Sequence, residues 1–166
     1  MAEADRDRVR EFIKWTDGLL GQLGVVDDQT EAPRDFLQAR LRSAIMRLPD
    51  KELDVQDAIE ALLIGRGLQK GIDYDREVGR VKVSAKEVVP DFIVPPLRLA
   101  IEVKLIRTPA RVREVVDEIN ADIAAYSKSY RQLVFVVYDL GHIRDETEFK
   151  QDLEDPGNVS IVIVKH

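Results

Sequence analysis

The chain has 166 residues, of which 45% are hydrophobic, and its formal net charge is −6 at pH 7. This length fits one domain that can bury about two thirds of its unfolded surface. The sequence contains no cysteine and only two histidines, which excludes disulfides and thiolate metal sites, so any metal ion must be held mainly by oxygen ligands. The charged first residues and the lack of a long apolar run predict a cytoplasmic protein with no membrane segment.

The net negative charge argues against a nucleic-acid partner, but the charges are distributed unevenly. Residues 98–131 contain seven basic and five acidic residues, whereas residues 139–155 contain two basic and seven acidic residues. One face of the folded protein can therefore be basic while a remote edge is acidic. A nucleic-acid partner is not excluded on charge alone.

Two amphipathic helices are predicted in the N-terminal region. Apolar residues recur at helical spacing over residues 5–23 and again over residues 33–48. We therefore expect residues 1–48 to form a helical region for association or partner docking, ahead of a second domain over residues 49–166. The inward positions predicted for the second helix are Phe36, Leu37, Leu41, Ile45 and Leu48.

A third helix is predicted to begin at an Asp50 N-cap and to extend to about Arg66. Its positions Glu52 and Gln56 are one turn apart and share a face with the apolar positions that follow. Glu52 is therefore a candidate for an inward-facing carboxylate. The alternative is a solvated glutamate that is favoured by the helix dipole. Glu60 lies at the edge of the same face and is a weaker candidate.

The rest of the chain alternates between strand and helix patterns, which predicts an α/β sandwich around a mixed sheet. A strand that is apolar on nearly every position indicates a central place in the sheet. The predicted elements are strands over residues 74–83, 88–94 and 97–106, a helix over 109–129, a strand over 132–138, a short acidic helix over 146–153 and a last strand over 159–164.

The predicted central strand carries Glu102 and Lys104 two positions apart, which places both charges on one face. Such a pair is costly to bury unless something binds there. Asp91 opens the preceding strand directly after Pro90, so a second carboxylate is expected nearby. This arrangement suits a divalent cation, a water and a phosphate, and it points to phosphodiester hydrolysis. The alternative is a structural ion pair on an edge strand.

These residues resemble the motif of the PD-(D/E)XK nuclease superfamily, with Asp91 similar to its aspartate and Glu102-Val103-Lys104 similar to its Glu-x-Lys strand. The branch of DpnII/MboI-type restriction endonucleases is similar over residues 49–166. The further segments that carry this resemblance are Glu52-Leu-Asp-Val-Gln-Asp57, Glu77, Asp91-Phe92, Asp122-Ile-Ala-Ala-Tyr126, Val134 to Asp139, Gly141-His-Ile143 and Asp152-Leu153.

The resemblance implies a restriction-endonuclease-like α/β/α sandwich, preceded by the N-terminal helical pair. It also implies a Mg²⁺-dependent DNA endonuclease, with Mn²⁺ as a substitute, that acts in restriction or anti-phage defence. Asp91, Glu102 and the carbonyl of Val103 would hold the metal, and Glu52 would hold a second ion directly or through water. Lys104 would position the attacking water or help to deprotonate it, and would stabilise the charge that develops on the phosphate.

Four other residues receive weaker assignments. Gln56 could orient Lys104 or a water, although a glutamine at the edge of a core needs no function. Glu77 could reach the metal or lie in solvent. Asp122 and Tyr126 are one helical turn apart and could fasten their helix to the strand that follows it.

Arg107, Arg111 and Arg113 follow the central strand and could meet DNA phosphates, although solvated arginines are common at a helix start. We expect a homodimer or a subunit of a defence complex, because residues 1–48 offer more apolar surface than a solvated leader needs. The alternative functions are a junction resolvase or ribonuclease on the same core, or a non-catalytic nucleic-acid- or protein-binding module on a nuclease fold. The presence of all three core residues argues against the last alternative.

Overall fold

The computed structural model describes residues 32–83 and 86–166, and the chain divides into two compact units, Met1–Ala32 and Pro33–His166. The helix predicted over residues 5–23 lies outside the described residues. In chain order the elements of the second unit are helices α1 (Pro33–Ala44) and α2 (Glu52–Gly65), strands β1 (Asp75–Arg76), β2 (Val81–Val83), β3 (Lys86–Val88) and β4 (Phe92–Val94), a 3-10 turn (Pro95–Leu97), strand β5 (Leu99–Ile106), helix α3 (Pro109–Tyr126), strand β6 (Gln132–Asp139), helix α4 (Glu146–Gln151) and strand β7 (Val159–Lys165).

The main sheet has the strand order β1-β4-β5-β6-β7. Its first two pairings, β1 with β4 and β4 with β5, are antiparallel, whereas β5 with β6 and β6 with β7 are parallel. The predicted mixed sheet is therefore confirmed. Strands β5 and β6 pair over eight residues each, and both are almost fully buried, which makes them the centre of the sheet.

Helices cover both faces of this sheet, because successive residues of a strand point to opposite sides. On one face α1 and α2 contribute Leu37 and Ile59 to a core that includes Ile101 of β5. On the other face Ile119 of α3 packs in a separate core with Phe135 of β6. These two cores confirm the α/β/α sandwich.

Two of the predicted strands are each interrupted. The strand expected over residues 74–83 is split into β1 and β2, because Glu77 between them has a left-handed backbone with φ of 54°. The strand expected over residues 88–94 is split into β3 and β4 around Pro90, which has no N–H to donate to a neighbouring strand. As a result β2 and β3 pair with each other as a separate two-stranded sheet.

Two details of the predicted helices are wrong. The N-cap residue of α2 is Lys51 rather than Asp50. The side chain of Asp54 accepts hydrogen bonds from the backbone N–H groups of both residues, so the capping carboxylate comes from within the helix. In the preceding helix, Leu48 was expected to face inward, but α1 ends at Ala44 and Leu48 is exposed.

Helix α1 belongs to the unit that contains the sheet. Phe36, Leu37 and Leu41 are buried in the core beneath the sheet, and the Gln38 amide donates a hydrogen bond to the carbonyl of Ile163 in β7 at 2.9 Å. The helix that we assigned to the N-terminal region 1–48 therefore packs with the sheet. Within the part of the chain that the structure describes, no helix is long and apolar enough to cross a membrane.

Gly79 lies where the segment between β1 and β2 approaches Tyr130, whose hydroxyl donates to the Gly79 carbonyl at 3.4 Å. A Cβ at this position would overlap the same hydroxyl and would lie 2.7 Å from Cγ2 of Ile93. We expect Gly79→Ala to lower the free energy of unfolding by about 1–3 kcal/mol, as overpacking does elsewhere. Urea denaturation measures this change.

Gly65→Ala is the matched control, because Gly65 ends α2 and a Cβ there would meet nothing within 4 Å. Its stability should equal or slightly exceed that of the wild type, since alanine favours a helix over glycine. Equal denaturation midpoints for the two variants would contradict the close approach at Gly79.

Candidate active site

The candidate site forms where β4 stops pairing with β5. The antiparallel pairing ends at Phe92↔Ile101, so the next pair in the same register would be Asp91 and Glu102. Pro90 precedes Asp91 and cannot donate a backbone hydrogen bond, and the chain leaves β5 at this point. The edge of β5 beyond this point therefore has backbone groups without a strand partner on the β4 side.

Two acidic side chains take the place of the missing strand. The backbone N–H of Val103 donates to Oδ2 of Asp91 at 2.7 Å, and the N–H of Leu105 donates to Oε1 of Glu52 at 3.2 Å. Because the N–H and C=O of one residue in a strand point to the same side, the Val103 carbonyl also faces this edge. The fold thus lines one edge of β5 with carboxylates and a backbone oxygen.

Asp91 and Glu102 are brought together as the sequence predicted. The backbone N–H of Asp91 donates to Oε2 of Glu102 at 3.3 Å. Asp91 directly precedes β4, and the Glu102 side chain projects from the face of β5 that packs against α3. The two carboxyl groups therefore lie close together at the place where the sheet opens.

Lys104 lies between acidic groups of β5 and α3. Its Nζ is 3.1 Å from Oε1 of Glu102 and 2.8 Å from Oδ2 of Asp122. The hydroxyl of Tyr126 donates to Oε2 of Glu102 at 3.1 Å. Asp122 and Tyr126 were expected to fasten α3 to β6. The Asp122 carboxylate and the Tyr126 hydroxyl contact the charged residues of β5, while the Tyr126 ring is buried in the core that also contains Phe135 of β6.

Burial perturbs the pKa of both central carboxyl groups. Burial is the largest cause that raises the pKa of Asp91 to about 6, and the neighbouring Glu52 and Glu77 add to it against the Val103 N–H and the Lys104 charge. Burial followed by repulsion from Asp91 raises the pKa of Glu102 to about 7. The pair therefore resists holding two negative charges unless a further cation is present.

The pKa of Lys104 is also raised, but for a lysine this shift favours the charged form. Burial opposes its charged form, but Glu102 and Asp122 outweigh burial and raise the pKa of Lys104 above its ordinary value. A lysine with a raised pKa stays protonated near neutral pH. Its position therefore suits a cation that stabilises negative charge better than a group that accepts a proton.

Gln56 reaches Asp91 from α2. Its Nε2 donates to Oδ1 of Asp91 at 2.8 Å, and Nη2 of Arg76 donates to its Oε1 at 3.1 Å. From the sequence we expected Gln56 to orient Lys104 or a water, and we did not expect Arg76 at this site. A signal was present, because Gln56 and Glu60 are one turn apart on one face of α2 and a basic residue opposite them would pair with the glutamate.

Glu52 and Glu77 lie at the border of this cluster. Glu52 is the first residue of α2 and is partly exposed, whereas Glu77 is exposed and its backbone N–H donates to the Asp91 carbonyl at 3.0 Å. Both are near enough to raise the pKa of Asp91. Among residues 32–83 and 86–166, however, no group of three acidic or histidine side chains is arranged to hold an ion.

The donor set fits a hard divalent cation by its chemistry. Asp91, Glu102 and the Val103 carbonyl offer oxygen atoms only, and Mg²⁺ prefers one or two carboxylates together with water and substrate oxygens. Burial is the main cause that raises the pKa of both carboxyl groups, so their charged forms are costly at this place. A divalent cation would offset this cost.

The three arginines predicted to meet phosphates lie at and after the end of β5. Arg107 donates to the carbonyl and the carboxylate of Asp50, and Arg113 is exposed on α3. Arg111 pairs with Glu118 at 2.7 Å, and its Nη2 lies 3.8 Å from Oε1 of Glu52. Arg111 is therefore the arginine of the three that approaches the acidic cluster.

The raised pKa values predict that the metal-free protein loses stability as the pH rises. The native state holds protons on Asp91 and Glu102 that the unfolded chain releases near pH 4, so the free energy of unfolding should fall between about pH 4 and pH 7 and level off above. Urea denaturation in EDTA across this range measures the fall. An Asp91→Asn, Glu102→Gln double variant should show a smaller fall, and parallel profiles would contradict the prediction.

Comparison with models of protein families gives a match over most of the chain. The family model described as REase_DpnII-MboI, for DpnII-MboI restriction endonucleases, matches residues 38–166. This range includes all the acidic residues of the site and begins within α1, ahead of the similarity that the sequence motifs suggested. Neither the curated proteins nor the solved structures contain a significant match. The chain belongs to the DpnII-MboI restriction endonuclease family.

Proposed function

We propose that this restriction endonuclease cleaves DNA with Mg²⁺, or Mn²⁺ in its place, at the edge of β5. Family membership implies DNA endonuclease activity. The observation that carries the metal dependence is the partly buried pair of Asp91 and Glu102, which lie together beside Lys104 and whose pKa values are raised to about 6 and about 7. A site of this kind is stabilised by a hard cation.

Asp91 and Glu102 hold the cation by their carboxylates, with the Val103 carbonyl as a further ligand. Glu52, whose carboxylate is bound to the Leu105 N–H, is available to a second ion directly or through water. When bound, a divalent metal polarises the phosphate and makes an attacking water more acidic. The hydrogen bonds from Gln56 and from Val103 hold the Asp91 carboxylate in place before the substrate arrives.

Lys104 stabilises the negative charge that develops on the phosphate. Its ammonium group is protonated because Glu102 and Asp122 raise its pKa. A preorganised charge in a buried site stabilises a transition state without the cost of reorientation. Asp122 and Tyr126 hold Lys104 and Glu102 from the α3 side, since their side chains contact these two residues directly.

DNA phosphates meet the basic residues that follow β5. Arg107, Arg111 and Arg113 lie at the end of this strand and in the first turns of α3, on the chain next to the catalytic residues. Contacts of arginine with phosphate position a duplex without reading its sequence. We assign the activity to restriction or anti-phage defence, because the family is one of restriction endonucleases.

The assignment predicts that Asp91→Ala and Lys104→Ala each lower the rate of plasmid cleavage in Mg²⁺ by at least about 100-fold, because each removes a group aimed at the reacting phosphate. Cleavage is measured on gels, with EDTA as the metal-free control, and folding is checked by circular dichroism. Lys150→Ala is the matched control, since Lys150 lies on α4 in the acidic segment away from the cluster. Well-folded Asp91 and Lys104 variants that cut at the wild-type rate would falsify the assignment.

We also propose that the N-terminal region mediates a homodimer or a defence complex. Its sequence carries Phe12, Ile13 and Trp15. Because α1 packs in the core of the sheet unit, a deletion that tests this role must end at residue 31 rather than at residue 48. Light scattering should show an assembly of the full chain that the deletion weakens. A full-length monomer at tens of micromolar, with no partner in pull-down, would contradict the proposal.

A further inference from the structure

Arg76 is connected to Asp91 through a chain of hydrogen bonds that crosses from β1 to α2 and back to β4. Nη1 of Arg76 lies 2.6 Å from Oε2 of Glu60 and 2.8 Å from Oδ1 of Asp57. Nη2 donates to Oε1 of Gln56 at 3.1 Å, and Nε2 of Gln56 donates to Oδ1 of Asp91 at 2.8 Å. The chain of hydrogen bonds therefore ends on the carboxylate of Asp91, the residue before β4.

The direction of this chain is determined by Arg76. A guanidinium group can only donate hydrogen bonds, so Gln56 must present its oxygen to Arg76 and its NH₂ group to Asp91. Without the arginine, the Gln56 amide could turn over and place its oxygen against the Asp91 carboxylate, where two acceptors repel. Arg76 thus ensures that Asp91 receives a donor.

The members of this chain are held firmly. The side chain of Arg76 is 11% exposed and lies over the ring of Phe92, with its Cζ 5.6 Å from the ring centroid. Gln56 is 7% exposed. Although burial opposes it, hydrogen bonds from Arg76, Lys70 and other donors lower the pKa of Glu60, so the anion that anchors Arg76 persists near neutral pH. Little solvent is available to replace a lost partner.

The Asp91 carboxylate is consequently bound at both oxygens. Gln56 donates to Oδ1 and the Val103 N–H donates to Oδ2, which leaves each oxygen a further lone pair toward the open edge of β5. Groups that orient a metal-binding carboxylate in this way affect metal affinity without touching the metal. Neither strand pairing nor core packing requires a charged side chain at position 76.

We propose that Arg76 is a positioning residue, which through the Gln56 amide holds Asp91 in the orientation that binds the catalytic metal. This inference rests on the proposed function, because it assumes that Asp91 is a metal ligand. It goes beyond that function by extending the site to β1 and to the Glu60 side of α2. In this role Arg76 acts through Gln56 and is not itself a metal ligand.

The test measures the dissociation constant for Mn²⁺ of the full chain by calorimetry, together with thermal stability. Arg76→Gln should weaken Mn²⁺ binding by about 10–100-fold, the usual effect of losing a group that orients a metal ligand. Lys70→Gln is the matched control. Lys70 pairs with the same Glu60 at 3.0 Å but is largely exposed and has no contact with Gln56, so its loss should leave Mn²⁺ binding unchanged.

A double-mutant cycle distinguishes positioning from a structural ion pair. If Arg76 acts through the amide, Gln56→Leu should weaken Mn²⁺ binding to a similar extent, and adding Arg76→Gln to it should cost no further affinity. A lower melting temperature with unchanged Mn²⁺ affinity in Arg76→Gln would overturn the inference, as would additive losses in the cycle.

A second variant covers the case in which Arg76→Gln does not fold. Arg76→Lys keeps a positive charge beside Glu60 but has no fork that reaches Gln56 as well, so its Mn²⁺ affinity should still fall, and a wild-type value would overturn the inference. Measurements on the wild type and on Asp91→Ala distinguish a failure of the proposed function from a failure of the positioning role of Arg76. A wild type that binds no Mn²⁺ removes the proposed function, whereas tight binding that depends on Asp91 but not on Arg76 removes only the positioning role.

Discussion

The departure of β4 from β5 is the constraint on which the site depends. If β4 began before Phe92 and kept its pairing with β5, it would accept the hydrogen bond of the Val103 N–H, and Asp91 would be an ordinary strand residue. Pro90 ends the pairing because it has no N–H. The carboxylates of Asp91 and Glu52 then take the free donors of β5, which brings both acids to one edge without a dedicated loop.

Holding these acidic side chains together lowers the stability of the native state, while it orients them before any ligand binds. Burial raises the pKa of Asp91 and of Glu102, and repulsion from Asp91 adds to the shift at Glu102; such groups destabilise a native state that must carry them ionised. Lys104 and the hydroxyl of Tyr126 offset part of this cost on the α3 side. In the proposed function a bound cation would offset the rest of this cost. A cluster of charged groups that lowers stability in this way is commonly balanced by a well-packed scaffold, here the two cores on either side of the sheet.

The closeness of Asp91, Glu102 and Lys104 was predictable from the sequence, because charged residues in the apolar run of β5 contradict the pattern of a buried strand. The α/β/α layers were also predictable, since the apolar periodicity of each segment indicates whether it forms a helix or a strand. The sequence did not predict the split strands, because the left-handed backbone of Glu77 is a local conformation with no periodic signal. Arg76 was missed for a different reason. Its contact with Gln56 joins residues twenty positions apart, and only the folded chain brings them together.

We propose that the opened edge of β5 holds a divalent cation. Anomalous diffraction from crystals grown with Mn²⁺ is the decisive measurement, because the signal locates the ion independently of any activity. We expect a peak between the carboxylates of Asp91 and Glu102, on the side of the Val103 carbonyl, and none in crystals of the Asp91→Asn, Glu102→Gln double variant. A wild-type crystal with no peak at this edge, or with its peak bound by other residues, would contradict this proposal.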